Sequence, residues 1–368
     1  MKGLVLAGGS GTRLRPITHT GAKQLVPVAN KPILFYGLED LAAAGVRDVG
    51  IVVGDTAAEI QAAVGDGSSW GLDVTYLRQQ QPMGLAHCVL IAREFLGEDD
   101  FVMYLGDNLV RQGVAQFVER FEADQAVPRD ALPDGAGPPC AQILLARVPD
   151  PHRFGVAVLG PDGSVVSLVE KPPKPPSDLA LVGVYLFDRH VHEAVRAISP
   201  SARGELEITD AIRWLIDHGH RVRHEVLDGW WKDTGAVAPL LEGNRLVLEA
   251  MQARLDGTVD SASQVEGRVV LEAGAEVKGS VVRGPVIIGA GTRVIDSYVG
   301  PFTSIERDCE IVDSEIEHSI VLADSHIIGI DRLVDSLIGR SVIVTRSDRR
   351  PTATRLTLGD HSRAELDQ

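Results

Sequence analysis

The sequence is poor in cysteine and in long apolar runs. Of 368 residues only three are cysteine, namely Cys88, Cys140 and Cys309, and they are too few and too scattered for a disulfide framework or a zinc site. We therefore expect a cytoplasmic protein. No stretch reaches the roughly eighteen apolar residues that a membrane helix requires, so no membrane partner is expected. The apolar run before Gly8 is also too short for a secretory signal peptide.

Basic residues are outnumbered by acidic ones. The chain has 36 Lys and Arg against 51 Asp and Glu, which gives a formal net charge of −15. A surface of that sign repels a polyphosphate backbone, so nucleic acid is not an expected partner and any phosphate site must be a local group of cations. With 44% hydrophobic and 24% charged residues the composition is that of an ordinary globular protein, and the length predicts about two domains.

The start of the chain nonetheless contains a phosphate-binding pattern. The apolar strand Leu4–Ala7 ends in a glycine-rich turn, where the absence of Cβ atoms lets backbone N–H groups approach anionic oxygens. Two cations follow, of which Arg13 offers a planar set of donors and Lys23 a point charge. We therefore predict that this segment binds a nucleoside triphosphate. The candidate residues are Leu6, Gly8, Gly9, Gly11, Thr12, Arg13 and Lys23.

Two other glycine-rich nucleotide motifs fit this turn poorly. A P-loop requires a Gly-Lys pair, which the chain does not contain. A dinucleotide-binding turn requires a third glycine at the position that Leu14 occupies. A purely structural strand-to-helix turn remains an alternative for the glycines alone, but the surrounding cations and prolines favour the nucleotide.

Short apolar strands alternate with helical patterns through the first part of the chain. Strands are predicted at Leu4–Ala7, Val49–Val53, Val74–Leu77, Phe101–Leu105, Ala141–Arg147, Val156–Leu159, Val165–Val169 and Leu181–Phe187, and helices near Gly37–Ala44, Thr56–Val64, Leu85–Leu96, Glu207–Asp217 and Val237–Leu255. This alternation predicts an α/β fold with a Rossmann-like mixed, mostly parallel sheet. Ligands of such sheets bind at the carboxyl ends of the strands, where Gly8 and Asp107 fall.

After about residue 260 the pattern changes to a repeat of five or six residues. The repeated apolar residues are Ile288, Val294, Val299, Ile305, Ile311, Ile316, Val321, Ile327, Leu333, Ile338 and Val344. Such a period predicts a β-helix, in which each short strand stacks on the next coil. Antiparallel strands are the alternative, although they would show turn signals about every 8–12 residues.

Two aspartates stand in well-defined local settings. Asp107 ends a buried-looking strand in Tyr104-Leu-Gly-Asp-Asn, and Asp233 lies in Trp230-Trp-Lys-Asp-Thr-Gly. Mg²⁺ needs few protein carboxylates, because waters and substrate phosphates complete its octahedron. Each aspartate on its own is also compatible with ordinary turn chemistry.

The stretch Leu6-Ala-Gly-Gly-Ser-Gly-Thr-Arg-Leu, followed by Lys23-Gln-Leu-Val-Pro, resembles the opening of the sugar-1-phosphate nucleotidylyltransferases. Gln24-Leu25 resembles the glucose-1-phosphate thymidylyltransferase branch, where other branches use different residues after the lysine. The resemblance extends over nearly the whole chain. It implies a nucleotidyltransferase domain over residues 1–255, a left-handed parallel β-helix over 256–345 and a tail over 346–368.

The resemblance also implies roles for individual residues. Gln79 and Gly84 would line the pyrimidine pocket, where a glycine permits a flat base to lie on the backbone. Asp107 and Asp233 match the family's metal-binding aspartates, and Asp107 is also a candidate for nucleotide binding. The sugar-phosphate side would consist of Gly155, Glu170, Lys171, Val182 and Tyr185, with Glu205 a weaker assignment. An ordinary helix start remains the alternative for Gln79 and Gly84, and core packing the alternative for Tyr185.

The implied reaction is Mg²⁺-dependent transfer of a nucleotidyl group from dTTP to glucose 1-phosphate, with Arg13, Lys23 and Lys171 as catalytic residues. UTP or GTP is the alternative nucleotide, and a β-helix acyltransferase or a regulatory subunit is the alternative class. A homo-oligomer is expected. The base and hexose preference, the oligomeric state, the role of the β-helix, the pathway and the function of the proline-rich loop at 125–139 stay open.

Overall fold

The computed structural model describes residues 1–9, 11–127, 137–346, 354 and 356–366. The chain divides into two compact units, one of Met1–Ser10 with Ile33–Asp233 and one of Gly11–Pro32 with Thr234–Gln368. The domain boundary at residue 255 stays a prediction. The predicted loop at 125–139 lies outside the described residues at 128–136, and the predicted tail lies outside them at 347–353, 355 and 367–368.

The elements of the first 250 residues follow in chain order. The strands are β1 (Lys2–Ala7), β2 (Pro27–Val28), β3 (Lys31–Pro32), β4 (Asp48–Val53), β5 (Asp73–Arg78), β6 (Phe101–Leu105), β7 (Asn108–Val110), β8 (Ala141–Arg147), β9 (Gly155–Leu159), β10 (Val165–Glu170), β11 (Leu179–Phe187), β12 (Val222–Val226) and β13 (Trp231–Asp233). The α-helices are α1 (Ile33–Ala43), α2 (Ala57–Val64), α3 (Leu85–Ile91), α4 (Arg93–Leu96), α5 (Ala115–Gln125), α6 (Val191–Ala197), α7 (Ile208–Asp217) and α8 (Val237–Ala250). Single turns of 3-10 helix lie at Thr12–Leu14, Ile17–His19, Lys23–Leu25, Ser68–Trp70 and Pro151–Arg153.

The large sheet of the first unit has a parallel part and an antiparallel part. β6, β1, β4 and β5 are neighbours in that order, and all of these pairs are parallel. β11 runs antiparallel to β6, and β9 and β10 continue the sheet on its other side. β8 pairs with β11, and β12 pairs with β8. The predicted α/β fold with a Rossmann-like mixed sheet is confirmed.

Apolar side chains on both faces explain why the parallel strands form. β1 and β4 each contain five consecutive buried residues, the pattern of strands covered on both sides. α7 buries Ile208, Ile212 and Leu215, whose spacing puts them on one face of the helix. These residues join Leu4 of β1 in one core cluster. Burial of this apolar surface is the main stabilising contribution to the unit.

Several elements differ from the sequence prediction. The helix predicted over Leu85–Leu96 is interrupted at Ala92, which caps both α3 and α4. The helix predicted to reach Leu255 ends at Ala250, because Arg254 and Leu255 pair with Val270 and Leu271 as a first coil strand. β7, β12 and β13 were not predicted, since they are short or carry charged residues and form through pairing with distant strands.

From residue 254 the second unit consists of short parallel strands. They are β14 (Arg254–Leu255), β15 (Thr258–Val259), β16 (Gln264–Glu266), β17 (Val269–Leu271), β18 (Glu276–Lys278), β19 (Val281–Arg283), β20 (Val286–Ile288), β21 (Arg293–Ile295), β22 (Tyr298–Val299), β23 (Thr303–Ile305), β24 (Glu310–Val312), β25 (Glu315–Glu317), β26 (Ile320–Val321), β27 (His326–Ile328), β28 (Leu333–Val334), β29 (Leu337–Ile338) and β30 (Ile343–Thr345). Every third strand belongs to the same sheet. We call the three sheets sheet A (β14, β17, β20, β23, β26, β29), sheet B (β15, β18, β21, β24, β27, β30) and sheet C (β16, β19, β22, β25, β28).

The repeat forms the predicted β-helix, with every strand pair parallel, as in the left-handed form that the resemblance implies. Its eleven predicted apolar residues belong to one core cluster, in which Leu333, Ile338 and Val344 are partly buried and the other eight are buried. Each coil therefore buries apolar side chains on its neighbours, and no single coil has a core of its own.

Serine side chains satisfy the backbone where the coils turn. Ser280 Oγ accepts from the N–H of Ser297 at 3.0 Å, and Ser297 Oγ accepts from the N–H of Ser314 at 3.1 Å. Ser314 Oγ accepts in turn from the N–H of Ile330 at 3.0 Å. A buried backbone N–H without a partner costs free energy, so this ladder is part of what stabilises the stack.

The structure shows no candidate membrane span: in the described part of the chain, no helix combines the length and the apolar character that crossing a bilayer demands.

Candidate functional site

The predicted nucleotide and metal residues of the first unit meet at one edge of the sheet. Leu6 of β1 pairs with Leu105 of β6, and the N–H of Gly106 donates to the carbonyl oxygen of Leu6 at 3.0 Å. Gln79 follows β5 and donates from its N–H to the carbonyl of Val53 at 2.9 Å. The residues after β1, β5 and β6 therefore share the carboxyl edge of adjacent parallel strands, where ligands of such sheets bind.

The turn after β1 has space for backbone but little for side chains. A Cβ atom on Gly8 would lie 3.3 Å from Gln79 Oε1. A Cβ on Gly54, which the sequence analysis did not single out, would lie 2.7 Å from the carbonyl oxygen of Gly8. Gly9 is exposed beside this pair. The close approach of two chain segments explains why glycine occupies these positions and leaves backbone groups accessible.

Gln79 and Gly84, the two residues predicted for the base pocket, lie close together. Gln79 is buried, and its Nε2 lies 3.5 Å from the carbonyl oxygen of Gly84. The same Nε2 donates to His87 Nδ1 at 3.1 Å. His87 therefore orients the Gln79 amide, a contact that the sequence did not reveal because the two residues belong to different elements.

Gly84 has a backbone conformation that other residues rarely adopt. Its φ is +99°, and a Cβ there would lie 2.4 Å from the carbonyl oxygen of Leu206. The N–H of Leu206 donates to the carbonyl of Met83, and the N–H of Ala86 donates to the carbonyl of Leu206. The start of α3 is thus held against the segment before α7, and only glycine fits at the point of contact.

Of the two predicted metal aspartates, Asp107 directly precedes β7 and Asp233 ends β13, the strand paired with β7. In the antiparallel pair of β7 and β13, Asp233 is opposite Asn108, the residue next to Asp107. Asp107 is 9% exposed, and Asn108 Nδ2 donates to its Oδ1 at 3.0 Å. The described residues contain no group of three or more His, Cys, Asp or Glu placed for a metal. A pair of carboxylates is what a cation that keeps water and phosphate ligands requires.

Asn108 joins three strands around this pair. Its Oδ1 accepts from the N–H of Gly183 in β11 at 3.2 Å and from Nε1 of Trp231 in β13 at 2.5 Å. A Cβ on Gly183 would lie 2.5 Å from the same oxygen. Asn108 was not predicted from the sequence as a functional residue, although its place beside Asp107 was the available signal.

The predicted sugar-phosphate residues also converge. Gly155 begins β9 opposite Glu170 at the end of β10, and a Cβ on Gly155 would lie 3.2 Å from Glu170 Oε2. Thr209 Oγ1 donates to that oxygen at 3.2 Å. Lys171, with φ of +40°, has its Nζ 3.4 Å from Glu170 Oε1. The Glu170 carboxylate and the Lys171 ammonium are therefore adjacent, and they lie beside Gly155, which has no side chain.

A further cation, Arg203, joins this group and was missed from the sequence. Its Nη1 lies 3.6 Å from Glu170 Oε1, and its Nε lies 3.4 Å from Glu207 Oε1. It also pairs with Glu205, the weaker sugar assignment. Burial raises the pKa of the Glu207 carboxyl. No sequence motif marked Arg203, which follows Ser201 and Ala202.

Val182 and Tyr185 both lie in β11 and are buried. Tyr185 packs parallel to Phe187, with ring centroids 6.1 Å apart, inside the core cluster. Burial, and secondarily the charge of Glu170, raises the pKa of its hydroxyl. The Tyr185 ring therefore packs in the core, and the charge of Glu170 acts on its hydroxyl. The role of Tyr185 as a sugar ligand stays a prediction.

The remaining nucleotide candidates lie in the second unit. Gly11 has φ of +63°, and a Cβ there would lie 2.8 Å from Lys23 Cβ. Thr18 Oγ1 donates to the carbonyl of Gly11 at 2.7 Å. Thr12 and Arg13 begin the 3-10 turn directly after Gly11. The two predicted cations are thus brought to the same part of this segment by a residue that must be glycine.

None of the three cysteines is available as a nucleophile. All are buried and free. Burial raises the pKa of Cys88 to about 12 and that of Cys309 to about 11, and it raises the pKa of Cys140 as well. A thiol is reactive as its thiolate, so covalent catalysis through cysteine is not supported.

A glycine turn, a pair of aspartates and a separate carboxylate–lysine group at one sheet edge are the parts of a nucleotide-dependent transferase. Residues 2–250 match the nucleotidyl transferase family, and the chain belongs to it. The family generally uses a divalent metal.

Individual relatives are similar over the full length. A glucose-1-phosphate thymidylyltransferase of Streptomyces griseus is 62% identical over 366 residues, covering 100% of this chain and 99% of the relative. One of Streptomyces antibioticus is 59% identical with the same coverage. A crystal structure from Bacillus anthracis, described as a glucose-1-phosphate thymidylyltransferase in complex with a sucrose, is 34% identical with a TM-score of 0.60 and covers 67% of this chain and 94% of that chain. The predicted resemblance is confirmed.

Gly84→Ala should disrupt the base pocket and lower stability. The new Cβ meets the Leu206 backbone at 2.4 Å, so we expect a loss of roughly 1–3 kcal/mol or more in the free energy of unfolding, with weaker nucleotide binding. Urea denaturation and nucleotide titration measure the two effects. The control is Gly163→Ala, which has φ of +81° but no atom within 4 Å of the new Cβ. Equal losses in both variants would show that backbone strain, and not the contact with Leu206, limits position 84.

Proposed function

We propose that the protein transfers the thymidylyl group of dTTP to glucose 1-phosphate and releases pyrophosphate. The observation that carries this proposal is the full-length identity of 62% to a thymidylyltransferase, combined with a sheet edge where Gln79, Gly84 and Asp107 stand apart from Glu170 and Lys171. We extend the proposal to a homo-oligomer in the cytoplasm, as expected from the sequence.

The proposed chemistry is a direct displacement at phosphorus. A phosphate oxygen of glucose 1-phosphate attacks the α-phosphorus of dTTP, the new P–O bond forms, and the bond to the bridging oxygen of pyrophosphate breaks. Lys171 would offset the repulsion between the two anionic reactants, and Glu170 would accept hydrogen bonds from sugar hydroxyls. Arg13 and Lys23 would stabilise charge that grows on the leaving pyrophosphate. Catalysis then comes from positioning and charge neutralisation.

The proposed metal is Mg²⁺ held by Asp107 and Asp233. The pairing of β7 with β13 supports this choice because it brings Asp233 opposite the residue next to Asp107, and the hydrogen bond from Asn108 orients the Asp107 carboxylate. When bound, Mg²⁺ would neutralise negative charge on the phosphate oxygens of the nucleotide.

The proposed base reader is the Gln79 amide. His87 occupies the Nε2 of Gln79, so its Oε1 is the atom left to accept a hydrogen bond from a base edge. Thymine and uracil both present an N3–H donor that this oxygen can accept, and guanine and cytosine also have N–H donors on their base-pairing edges. The proposed preference for dTTP or UTP over GTP or CTP rests on the similarity to thymidylyltransferases, because an accepting oxygen alone does not separate the bases.

The function is tested by pyrophosphate release from dTTP, UTP, GTP, CTP and ATP with glucose 1-phosphate as acceptor. We expect the highest kcat/KM with dTTP, UTP next, and the other nucleotides near background. Galactose and mannose 1-phosphates serve as acceptor controls. Preferred turnover of GTP would contradict the assignment of the base pocket.

Arg13→Ala and Lys23→Ala should each lower turnover by about 10²-fold or more, because cations opposite developing phosphate charge typically contribute several kcal/mol. Steady-state kinetics measure the loss, and circular dichroism checks the fold. Lys174→Ala removes an exposed lysine outside the site and is the matched control. Turnover within about threefold of the parent for both variants would remove the proposed phosphate contacts.

Asp233→Asn should abolish most metal-dependent turnover, because it exchanges an anionic ligand for a neutral one of the same shape. Binding of Mn²⁺ as a Mg²⁺ probe, followed by electron paramagnetic resonance, should weaken in parallel. Asp217→Asn, at the end of α7, is the carboxylate control. Full activity of the Asp233 variant at low Mg²⁺ would contradict the proposed role of Asp233 as a metal ligand.

A further inference from the structure

One sheet of the β-helix has a buried outer face. In sheet A the residues Val270, Ile287 and Ser304, which alternate with core residues, are at most 5% exposed. In sheet B the residues beside the core, such as Lys278 and Arg293, are exposed. Sheet A is therefore covered by other parts of its own unit, and sheet B is not.

The cover of sheet A consists of α8 and the hairpin of β2 and β3. Ala29 of the hairpin forms one apolar cluster with Leu248 of α8, Val270 and Ile287. The hairpin turn is made by Ala29 and Asn30, with φ of 47° and 60°, the conformation of a tight two-residue connection. Asn30 Nδ2 donates to the carbonyl of Ile305 at 2.7 Å. This bond connects the hairpin to β23 of sheet A.

Asn244 of α8 links all of these segments. It is fully buried, which is uncommon for an amide side chain. Its Oδ1 accepts from the N–H of Ala29 at 2.8 Å and from Ser304 Oγ at 3.1 Å. Its Nδ2 donates to the carbonyl of Phe302 at 3.1 Å. One side chain therefore connects the helix, the hairpin and a coil of the β-helix.

The hairpin follows directly on the part of the chain that holds the proposed phosphate cations. Lys23 begins a 3-10 turn that ends at Leu25, and the N–H of Val26 donates to the carbonyl of Lys23 at 3.2 Å. Earlier in the same segment, Ile17 Cδ1 would lie 3.1 Å from a Cβ placed on Gly339 near the last coil. Both sides of the cation-bearing segment therefore rest on the β-helix.

We infer that Asn244 is a positioning residue for nucleotide binding, which acts by fixing the hairpin of β2 and β3 and through it the segment with Arg13 and Lys23. The inference rests on the proposed function, because it needs those two cations to contact the triphosphate. The β-helix then contributes to nucleotide binding indirectly, because it supports the segment with Arg13 and Lys23. None of its own residues needs to contact the substrate.

The test compares dTTP affinity with the exchange of backbone amides in the hairpin. Asn244→Leu retains the branching of the side chain at Cγ, although it is larger, and removes all three hydrogen bonds. The dissociation constant of dTTP should rise about tenfold or more, because small displacements of binding groups have large effects. Hydrogen exchange at residues 27–32 should become faster. Asn244→Asp retains an oxygen that accepts from the N–H of Ala29 and should recover part of the affinity.

Val299→Ala is the control for general loss of stability. Val299 is a fully buried core residue of sheet C, so its truncation lowers the melting temperature of the same unit without touching the hairpin. We expect its dTTP affinity to stay within about twofold of the parent. An equal loss in Val299→Ala and Asn244→Leu would overturn the inference, and so would parental affinity in Asn244→Leu.

A second hairpin variant and the two cation variants are measured in the same way. If Asn244→Leu does not fold, Asn30→Gly decides by the same criteria, because glycine keeps the positive φ and removes only the bond to Ile305. Arg13→Ala and Lys23→Ala are titrated in parallel. Parental dTTP affinity with parental turnover in both would contradict the proposed function and the inference with it. Parental affinity with lowered turnover in both would contradict the inference alone, and so would weak binding there with parental binding in the Asn244 variants.

Discussion

Parallel pairing of β1 with its two neighbours is the constraint on which the site of the first unit depends. Because β6, β1, β4 and β5 all run in one direction, the residues that follow them come to the same edge of the sheet. The backbone bond from Gly106 to Leu6 places Asp107 beside the glycine turn, and Gln79 is held by Val53 one strand further on. Side chains buried on both faces keep these strands in register.

Around this edge, hydrogen bonds of the Asn108 and Gln79 amides fix the orientation of side chains at the candidate site. Asn108 holds Asp107 and joins β7, β11 and β13, and His87 holds the amide of Gln79. A buried amide that lost one of these partners would leave a polar group without a hydrogen bond, which is costly in a low-dielectric interior. The same reasoning applies to Asn244 in the second unit, where a helix, a hairpin and a β-helix coil share one side chain.

The β-helix stabilises itself by repetition. Its core residues stack coil on coil, and the ladder of Ser280, Ser297 and Ser314 satisfies N–H groups at successive turns. A stack of this kind offers a long flat face, and in sheet A that face is covered by α8 and the hairpin of residues 27–32. The repeat therefore has a use beyond its own stability, because it provides a surface on which an irregular, glycine- and proline-containing segment can be ordered.

Local patterns in the sequence determined the family, the alternation of strands and helices, the β-helix repeat and the types of residue at the site. Gly8 and Asp107 were found because a glycine-rich turn and a carboxylate at strand ends each leave a local pattern, and Gly84 was found through the family resemblance. Tertiary structure alone decided that Asp233 lies opposite Asn108, that Arg203 joins Glu170, and that Arg254 and Leu255 pair as strand where the pattern predicted helix. These contacts join residues distant along the chain, and their energies depend on burial and on partners that no short window of sequence contains. Asn244 is the clearest case, since an asparagine inside a helix carries no signal until the segments that it connects have folded around it.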